Sequence, residues 1–296
     1  MSTSVLPLFA GCATALITPF LPNGQIDDNA LRRLIHMQVD AQMDALVLLG
    51  TTGEPSTLSL EEREHIIEIG LETVNGAMPV IVGTGSNDTR HAIEYARQAK
   101  ALGAQGQLCV TPYYNKATQT GLIRHFTSIL DACDLPMILY NVPGRTGIGM
   151  KTSTVKEISR HPGVVGVKEA SGDAVLTAEL LSETQLPVYC GNDDLILPLM
   201  ALGASGAISV LSNILLEQTR MLTHACLYGH IRQAQTLQQT MLPLIKALFS
   251  QVSPIPAKAA LAMMGLIHDE LRLPLTPMEE PYRTQLKNLL EDAKLL

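Results

Sequence analysis

The sequence is poor in aromatic residues and in charge. It contains no tryptophan and only four phenylalanines among 296 residues, and charged residues make up 17%. Basic residues are outnumbered 21 to 28 by acidic ones, and the net charge is −7 at pH 7. The chain therefore lacks the positive field that attracts DNA or RNA, and we expect no nucleic-acid partner.

Cysteine and long apolar runs are also scarce. The five cysteines are odd in number and show no CxxC spacing, which predicts reduced, buried thiols in a cytoplasmic protein. No segment reaches the roughly 18 uninterrupted apolar residues of a membrane span. Residues 5–21 imitate a signal peptide, but the first positive side chain is Arg32 and two prolines interrupt the run. We interpret this segment as the first core strand.

What is abundant is an alternation of short apolar runs with amphipathic helical patterns. The runs are apolar on both faces, as in a parallel sheet covered by helices. They lie at 12–17, 44–50, 79–85, 107–112, 136–141, 163–169, 187–191 and 206–211, and helical patterns lie at 28–39, 59–76, 89–103, 119–133, 152–160, 173–183 and 192–202. Eight repeats predict a (β/α)8 TIM barrel. An open doubly wound sheet is disfavoured because GTGSND, at 83–88, lacks the third glycine of a dinucleotide fingerprint.

The C-terminal part of the sequence carries helical patterns without strands. Long helical runs are predicted at 216–250 and 256–271, and a last helix near 279–295. We predict a barrel over residues 1–230 that carries the active site, followed by a C-terminal helical domain over 231–296.

The predicted strand ends are unusually polar. Active sites of such barrels lie at the carboxyl ends of the strands, where this chain places GTTGE (50–54), TPYYN (111–115), YNVPGRTG (140–147), KEAS (168–171) and GNDD (191–194). The eight histidines show no metal-ligand spacing, Asp193 and Asp194 alone are a weak signal, and no GxSxG elbow occurs. We therefore predict neither a metal site nor a serine-hydrolase triad.

Lys168 is the only one of nine lysines that ends an apolar strand run. Burial disfavours the charged form of an amine, and a neutral amine attacks a carbonyl to give a Schiff base. A structural pair with Glu169 is the alternative, but successive strand residues point to opposite faces. Lys246 and Lys258 also have apolar neighbours, and we expect their long side chains to reach solvent from helices.

Tyr140 and Arg145 accompany this lysine at the end of the fifth run. Arginine suits a substrate carboxylate, although a surface ion pair is equally plausible, and the tyrosine alone could be a core aromatic. The turn at Thr51 and Thr52 offers hydroxyls and backbone amides to a carboxylate, or is an ordinary helix entry. Tyr113 and Tyr114 are adjacent, so one of the two faces away from the barrel interior.

These motifs, with PIPAKAAL at 254–261 and LRLPLTP at 271–277, resemble the dihydrodipicolinate synthase (4-hydroxy-tetrahydrodipicolinate synthase) family over residues 10–295. The wider pyruvate-aldolase superfamily shares the lysine, the tyrosine and the GxTGE turn. The arginine in YNVPGRT resembles the synthase branch rather than the N-acetylneuraminate lyase branch. Another pyruvate-dependent 2-keto acid aldolase stays open as an alternative, and so does a barrel that only binds a small acid.

The resemblance implies a function and a set of roles. Lys168 would form a Schiff base with pyruvate, and Tyr140 would move protons through Thr51 to Tyr114 of a neighbouring subunit. The remaining substrate contacts would come from Thr52 and Arg145, which bind the carboxylates of pyruvate and L-aspartate 4-semialdehyde, and from Gly191 and Ile208, which line the pyruvate pocket. The resemblance implies no cofactor. Members of the family are usually homotetramers built from two tight dimers.

The sequence departs from the family at an effector pocket. Lysine-inhibited members place a histidine and a glutamate there, whereas this chain has Arg63 and His91, with Leu60 where another histidine often stands. Asn87 and Tyr113 match the family. Because the carboxylate for the effector's amino group is missing and a cation is added, we expect weak or no inhibition by L-lysine.

Overall fold

Eight parallel strands form a closed barrel in the computed structural model, which describes residues 6–296. Each strand pairs with the next, and the eighth pairs with the first, as the sequence predicted. Val5, where the apolar N-terminal stretch begins, lies outside the described residues. The strands are β1 (Gly11–Ala15), β2 (Ala45–Leu48), β3 (Val80–Gly83), β4 (Gly106–Val110), β5 (Met137–Asn141), β6 (Val164–Glu169), β7 (Val188–Cys190) and β8 (Gly206–Ser209).

Helices cover the outside of the barrel and continue beyond it. They are α1 (Asp28–Asp40), α2 (Leu60–Val74), α3 (Thr89–Leu102), α4 (Gln119–Ala132), α5 (Pro143–Thr146), α6 (Thr152–Ile158), α7 (Ala174–Glu183), α8 (Ile196–Ala201), α9 (Leu216–Leu227), α10 (Ile231–Leu248), α11 (Ile255–Met263) and α12 (Tyr282–Asp292). No helix within residues 6–296 combines the length and the apolar character needed to cross a bilayer.

The predicted helical run 216–250 is wrong as one element. It is two helices, α9 and α10, separated around Gly229, whose φ of 76° suits glycine and ends the first helix. The run 256–271 likewise ends early, at Met263, shortly before Gly265 with a φ of 71°. In both places a glycine inside an apolar pattern was the stop signal.

Local sequence signals account for several helix ends. The capping box at the start of α2 is present: Ser59 accepts from the Glu62 amide, and the Glu62 side chain accepts from the Ser59 amide. Asp173 caps α7 by accepting from two amides of its first turn. These caps fix where the helices begin and therefore where the preceding strand-to-helix loops end. Those loops carry the polar residues at the carboxyl ends of the strands.

The core has two layers, one inside the barrel and one between the strands and the helices. Alternate strand residues point to each layer, so Tyr140 and Tyr189 face inward while their neighbours face the helices. Phe9 stacks on Tyr189 at 4.4 Å, and its carbonyl accepts from the tyrosine hydroxyl at 2.9 Å. Since Phe9 precedes β1, this contact fills the amino-terminal end of the barrel and leaves the opposite end to the site.

The helices after residue 230 pack onto the barrel and onto its loops. The Gln238 side chain of α10 donates to the carbonyl of Asp193 at 3.0 Å and accepts from the Leu197 amide at 3.2 Å. Lys258 of α11 reaches the loop after β2. The division of the chain at residue 230 stays a prediction.

Candidate active site

Lys168 and Tyr140 are neighbours on the inner face of the barrel. Their α-carbons pair directly between β5 and β6, and the lysine side chain is buried, with 5% of the residue exposed. The Nζ atom lies 4.5 Å from the centroid of the tyrosine ring. Within residues 6–296, no carboxylate oxygen lies within 4.0 Å of this nitrogen. The amine is therefore held against an aromatic face without a direct counter-ion.

Glu169 points to the opposite face of β6 and is not the partner of Lys168. Its carboxylate accepts from the Asn141 side-chain amide at 2.8 Å and from the Ser171 backbone amide at 2.6 Å. Burial raises the pKa of this carboxyl above its ordinary value, against the effect of these hydrogen bonds. The alternative of a structural Lys168–Glu169 pair is therefore wrong, and Glu169 instead ties the ends of β5 and β6 together.

Asp193 is a residue near Lys168 that the sequence analysis missed. Its buried carboxylate accepts from the backbone amides of Val210 and Leu211 at 3.0 and 2.9 Å. Burial raises its pKa, while the nearby charge of Lys168 opposes this shift. The contact fixes the chain after β8, next to Ile208. In the sequence, its position at a strand end is the visible signal, although that position predicts no more than a weak metal ligand.

Gly191 gives the lysine room. A β-carbon at this position would lie 2.9 Å from Cε of Lys168 and 2.6 Å from Cβ of Ala170, both closer than van der Waals contact. Ile208 belongs to the inner core together with Tyr140. Both predicted pocket residues therefore lie within the barrel interior that also holds the amine.

The turn after β2 is a 3₁₀ turn over Thr51–Gly53. The amides of Gly53 and Glu54 donate to the carbonyls of Gly50 and Thr51 at 2.8 and 3.3 Å. Within residues 6–296 the amides and hydroxyls of Thr51 and Thr52 donate to no protein acceptor, and of these two residues only Thr51 lines the cavity at the barrel mouth. This arrangement favours a carboxylate cradle over a simple helix entry.

The turn is held by a buried ion pair that corrects one prediction. Lys258 does not reach solvent: its side chain is fully buried, and Nζ donates to Oε1 of Glu54 at 2.6 Å. Burial lowers the pKa of this lysine, and the Glu54 carboxylate works in the opposite direction. The Arg272 backbone amide donates to the other oxygen of Glu54 at 3.1 Å. Lys258 and Arg272, which belong to the C-terminal part of the chain, therefore hold Glu54, the last residue of the GTTGE turn.

A cavity of about 420 Å³ opens at the carboxyl ends of the strands. Of the predicted catalytic and substrate-binding residues, Thr51, Tyr140 and Arg145 line it. Lys168 does not itself line it and is linked to it through the Tyr140 ring. The same cavity reaches the predicted effector positions: Arg63, Asn87, His91 and Tyr113.

Arg145 lies at the exposed edge of this cavity, in the short helix α5. It donates to the carbonyl of Ser253 at 3.2 Å, and within residues 6–296 no carboxylate lies within 4.0 Å of it. The surface ion pair considered from the sequence is therefore not formed, and the charge is free to meet an incoming carboxylate.

Tyr114 is the one predicted catalytic residue that the single chain leaves outside the site. It is 89% exposed and does not line the cavity, whereas its neighbour Tyr113 does. Its φ of 72° is uncommon for a residue other than glycine. The prediction that Tyr113 and Tyr114 face in different directions is confirmed.

Comparison with known proteins decides the family. Residues 8–293 match the sequence profile of the Dihydrodipicolinate synthetase family. The chain belongs to this family. A curated member, the 4-hydroxy-tetrahydrodipicolinate synthase of Alkaliphilus oremlandii, is 47% identical over 97% of this chain and 98% of its own. The corresponding protein of Geobacter sulfurreducens is 45% identical over 98% of this chain and 100% of its own.

Solved structures of family members show the same barrel. The dihydrodipicolinate synthase of Thermotoga maritima superposes with a TM-score of 0.95 at 42% identity, over 98% of this chain and 100% of that one. A family structure from Cyanidioschyzon merolae with lysine bound has a TM-score of 0.95 at 36% identity, over 98% and 100% of the two chains. The resemblance stated from the motifs is thereby confirmed at the level of the family and the fold.

Proposed function

We propose that the chain condenses pyruvate with L-aspartate 4-semialdehyde to give 4-hydroxy-tetrahydrodipicolinate, in lysine and diaminopimelate biosynthesis. The observation that carries the proposal is the buried amine of Lys168 at 4.5 Å from the Tyr140 ring, beside a cavity of about 420 Å³. The names of the curated relatives support the same reaction.

The reaction begins when the Lys168 amine attacks the keto carbon of pyruvate. Water leaves as the imine forms, and loss of a methyl proton then gives the enamine. The enamine carbon attacks the aldehyde of the second substrate. The amino group of that substrate closes the ring on the imine carbon, and the C–N bond to Lys168 breaks to free the enzyme.

Each step before release needs a group at the carboxyl ends of the strands, and of the groups that we assign, Thr51, Tyr140 and Arg145 line the cavity itself. The Tyr140 hydroxyl moves protons, with Thr51 as the next hydroxyl in the relay. The turn amides and Thr52 hold the pyruvate carboxylate, and Gly191 and Ile208 leave space for the bound imine. Arg145 binds the carboxylate of the aldehyde substrate through its planar guanidinium.

Lys258 is a built-in comparison for Lys168. Both lysines are buried and neither lines the cavity, but the Nζ of Lys258 donates to Glu54 at 2.6 Å, whereas Lys168 lies beside the ring of Tyr140, which does line it. An amine engaged with a carboxylate is not available to attack a carbonyl. Lys168 is therefore the lysine we assign as the nucleophile.

We also propose that the active unit is a homotetramer in the cytoplasm, in which Tyr114 completes the relay of a neighbouring subunit. The 89% exposure of Tyr114 supports a role outside its own chain. All five cysteines are free, which is consistent with a reducing compartment. Sedimentation velocity on the wild type and on Tyr114→Ala, with activity measured beside it, tests the assembly and the relay separately.

Borohydride trapping tests the central assignment. Reduction in the presence of pyruvate, followed by peptide mass spectrometry, should add the reduced pyruvate mass to the peptide that holds Lys168 and leave the Lys258 peptide unmodified. Lys168→Met should show no adduct. An adduct on Lys258, or none in the wild type, overturns the Schiff-base assignment.

The choice of aldehyde tests the reaction against other 2-keto acid aldolases. Pyruvate is incubated with L-aspartate 4-semialdehyde and with a panel of sugar aldehydes, and kcat/KM is compared. Arg145→Met should lose most of the preference for the semialdehyde while still trapping pyruvate. If a sugar aldehyde gives the higher kcat/KM in the wild type, the synthase assignment is wrong.

A further inference from the structure

A buried glutamate without a cation lies directly behind the proposed nucleophile. Glu169 follows Lys168 on β6, points to the outer face of the barrel and is 1% exposed. In the part of the chain that the structure describes, no basic nitrogen lies within 4.0 Å of its carboxylate. Burying a carboxylate without a counter-ion is unfavourable, and the proposed reaction gives this group no role. Its role must therefore lie in the groups that it binds.

Glu169 meets two donors, one on each carboxylate oxygen. Oε2 accepts from the side-chain amide of Asn141 at 2.8 Å, and Oε1 accepts from the backbone amide of Ser171 at 2.6 Å. A carboxylate has two acceptor oxygens, whereas a glutamine side chain has one acceptor and one donor group. Only a carboxylate matches both donors, which explains why an acidic residue is buried at this position.

The same contact fixes the orientation of the Asn141 amide. An ionised carboxylate accepts hydrogen bonds and donates none, so the Nδ2 group of Asn141 must face Glu169. Oδ1 of Asn141 then faces the backbone amide of Met150, which donates to it at 2.9 Å. The carboxylate of Glu169 therefore orients an amide whose other end binds a residue further along the chain.

The bond from Met150 to Asn141 closes the loop that carries Arg145. This loop covers residues 142–149, contains α5 and places Arg145 at the edge of the cavity. Gln119 binds the backbone on either side of Met150, at 2.9 and 3.0 Å, so the end of the loop is held from outside as well. Asn141 supplies the contact that returns the loop to the end of β5.

We propose that Glu169 and Asn141 are positioning residues for the aldehyde substrate, which hold Arg145 at the cavity by closing its loop. The inference rests on the function proposed above, in which Arg145 binds the carboxylate of that substrate. The level of Lys168 against Tyr140 does not depend on the two side chains, because the backbones of β5 and β6 set it. Loss of the pair should therefore impair use of the aldehyde and leave pyruvate trapping intact.

Exchanging the two functional groups tests the pair. In the double variant Asn141→Asp with Glu169→Gln, the carboxylate at position 141 accepts from the Met150 amide and from the side-chain amide at position 169. The oxygen of that amide accepts from Ser171, so the three hydrogen bonds of the wild type are kept. In Glu169→Gln alone, every orientation of the two side-chain amides leaves one donor without an acceptor, which is unfavourable in a buried site.

Three measurements on the same preparations follow the effect: steady-state kinetics, borohydride trapping, and hydrogen–deuterium exchange of the peptide that spans 142–150. Glu169→Gln should raise the KM for the semialdehyde and lower kcat/KM by about tenfold or more, since a displacement of about 1 Å costs up to about 100-fold. Exchange in the peptide should become faster. The KM for pyruvate and the trapping of pyruvate should not change, and the double variant should restore the wild-type values.

Leu222→Ala controls for a general loss of stability. Leu222 is buried in α9, outside the lining of the cavity, and shortening it destabilises the fold. This variant should lower the thermal midpoint without raising the KM for the semialdehyde. If it raises that KM as much as Glu169→Gln does, the pair acts only through stability and the proposal is wrong.

The proposal also fails if Glu169→Gln leaves both exchange and KM unchanged, or if the double variant is no better than the single one. If Glu169→Gln does not fold, Glu169→Asp takes its place with the same expected shifts, because its carboxylate is one methylene short of Asn141. Exchange is measured without substrate. A wild type that prefers another aldehyde would therefore refute the proposed function, while faster exchange in the variant would still support closure of the loop by this pair.

Discussion

The Nζ atom of Lys168 lies 4.5 Å from the centroid of the Tyr140 ring, on adjacent strands whose α-carbons pair in register. The pairing sets the distance, because side chains at the same level of neighbouring strands stand side by side. The lysine residue is 5% exposed, so its amine is held beside the Tyr140 ring inside the barrel.

The variant Tyr140→Phe distinguishes the role of the Tyr140 ring from that of its hydroxyl. Phenylalanine keeps the ring beside Lys168 and removes only the hydroxyl that we propose as the proton-transfer group. We expect kcat to fall by about 10²–10⁴-fold, while borohydride still traps pyruvate on Lys168. Steady-state kinetics and trapping on the same preparation measure both. Near-normal kcat would rule Tyr140 out as the shuttle.

Gly191→Ala tests the space around the amine. The added methyl would meet Cε of Lys168 and Cβ of Ala170 below 3.0 Å, so the lysine must move. A displacement of about 1 Å costs roughly 100-fold in kcat/KM. Gly144→Ala is the control, since a methyl there meets nothing within 4 Å. An equal loss in both variants would show that the effect is not steric.

L-lysine should inhibit the enzyme weakly or not at all at millimolar concentrations. The cavity lining has the Arg63 cation and, within the described residues, no carboxylate for the inhibitor's ammonium groups. The double variant Arg63→His with His91→Glu should gain inhibition, which activity assays across a lysine titration detect. Strong inhibition of the wild type would contradict the interpretation of this pocket.

His125 should make the protein sensitive to mild acid. It is 6% exposed, and its Nδ1 contacts the Thr89 hydroxyl at 2.9 Å. Its buried Nε2 has no hydrogen-bond partner within residues 6–296. Burial lowers its pKa from 6.5 to about 4. As the pH falls, the imidazole of the unfolded chain is protonated before that of the folded protein, which favours unfolding. The contribution of His125 to the free energy of unfolding is fully present above pH 6.5 and is lost as the pH falls toward 4, by up to about 3 kcal/mol.

The measurement for His125 is the change in thermal midpoint between pH 7 and pH 5. His125→Asn loses ring packing at every pH but should show a smaller drop between the two values than the wild type. An equal drop in both proteins would assign the acid sensitivity to other groups.

Removing only one partner of the buried Glu54–Lys258 ion pair should strongly destabilise the folded protein. Lys258→Met leaves a buried carboxylate without its cation, and we expect a loss of about 3–5 kcal/mol in the free energy of unfolding. The double variant Glu54→Gln with Lys258→Met removes both charges and should lose less. Urea unfolding of the wild type, of the two single variants Glu54→Gln and Lys258→Met and of the double variant measures this, and additive losses would show that the two groups do not interact.

The sequence predicted all eight strands and the inward position of Lys168, because a parallel barrel imposes continuous apolar runs with polar strand ends. It also predicted that Glu169 points away, which follows from the alternation along a strand. These features are local in the chain, so composition and spacing are enough to reveal them.

What the sequence could not predict depends on contacts between distant segments. Lys258 looked like a helix lysine that reaches solvent, because its partner Glu54 lies 204 positions away. Asp193 looked unremarkable because the amides that it binds belong to the next strand loop. The break at Gly229 was missed because the apolar pattern continues through it in nearly the same phase.

The ties of Glu54 to Lys258 and Arg272 have a consequence for synthesis of the protein. On the ribosome, the turn after β2 emerges early, but Glu54 meets neither partner until more than 200 further residues have been added. All eight strands are then already translated. The barrel can close before this turn is secured, so the loops at the carboxyl ends of the strands are complete only near the end of translation.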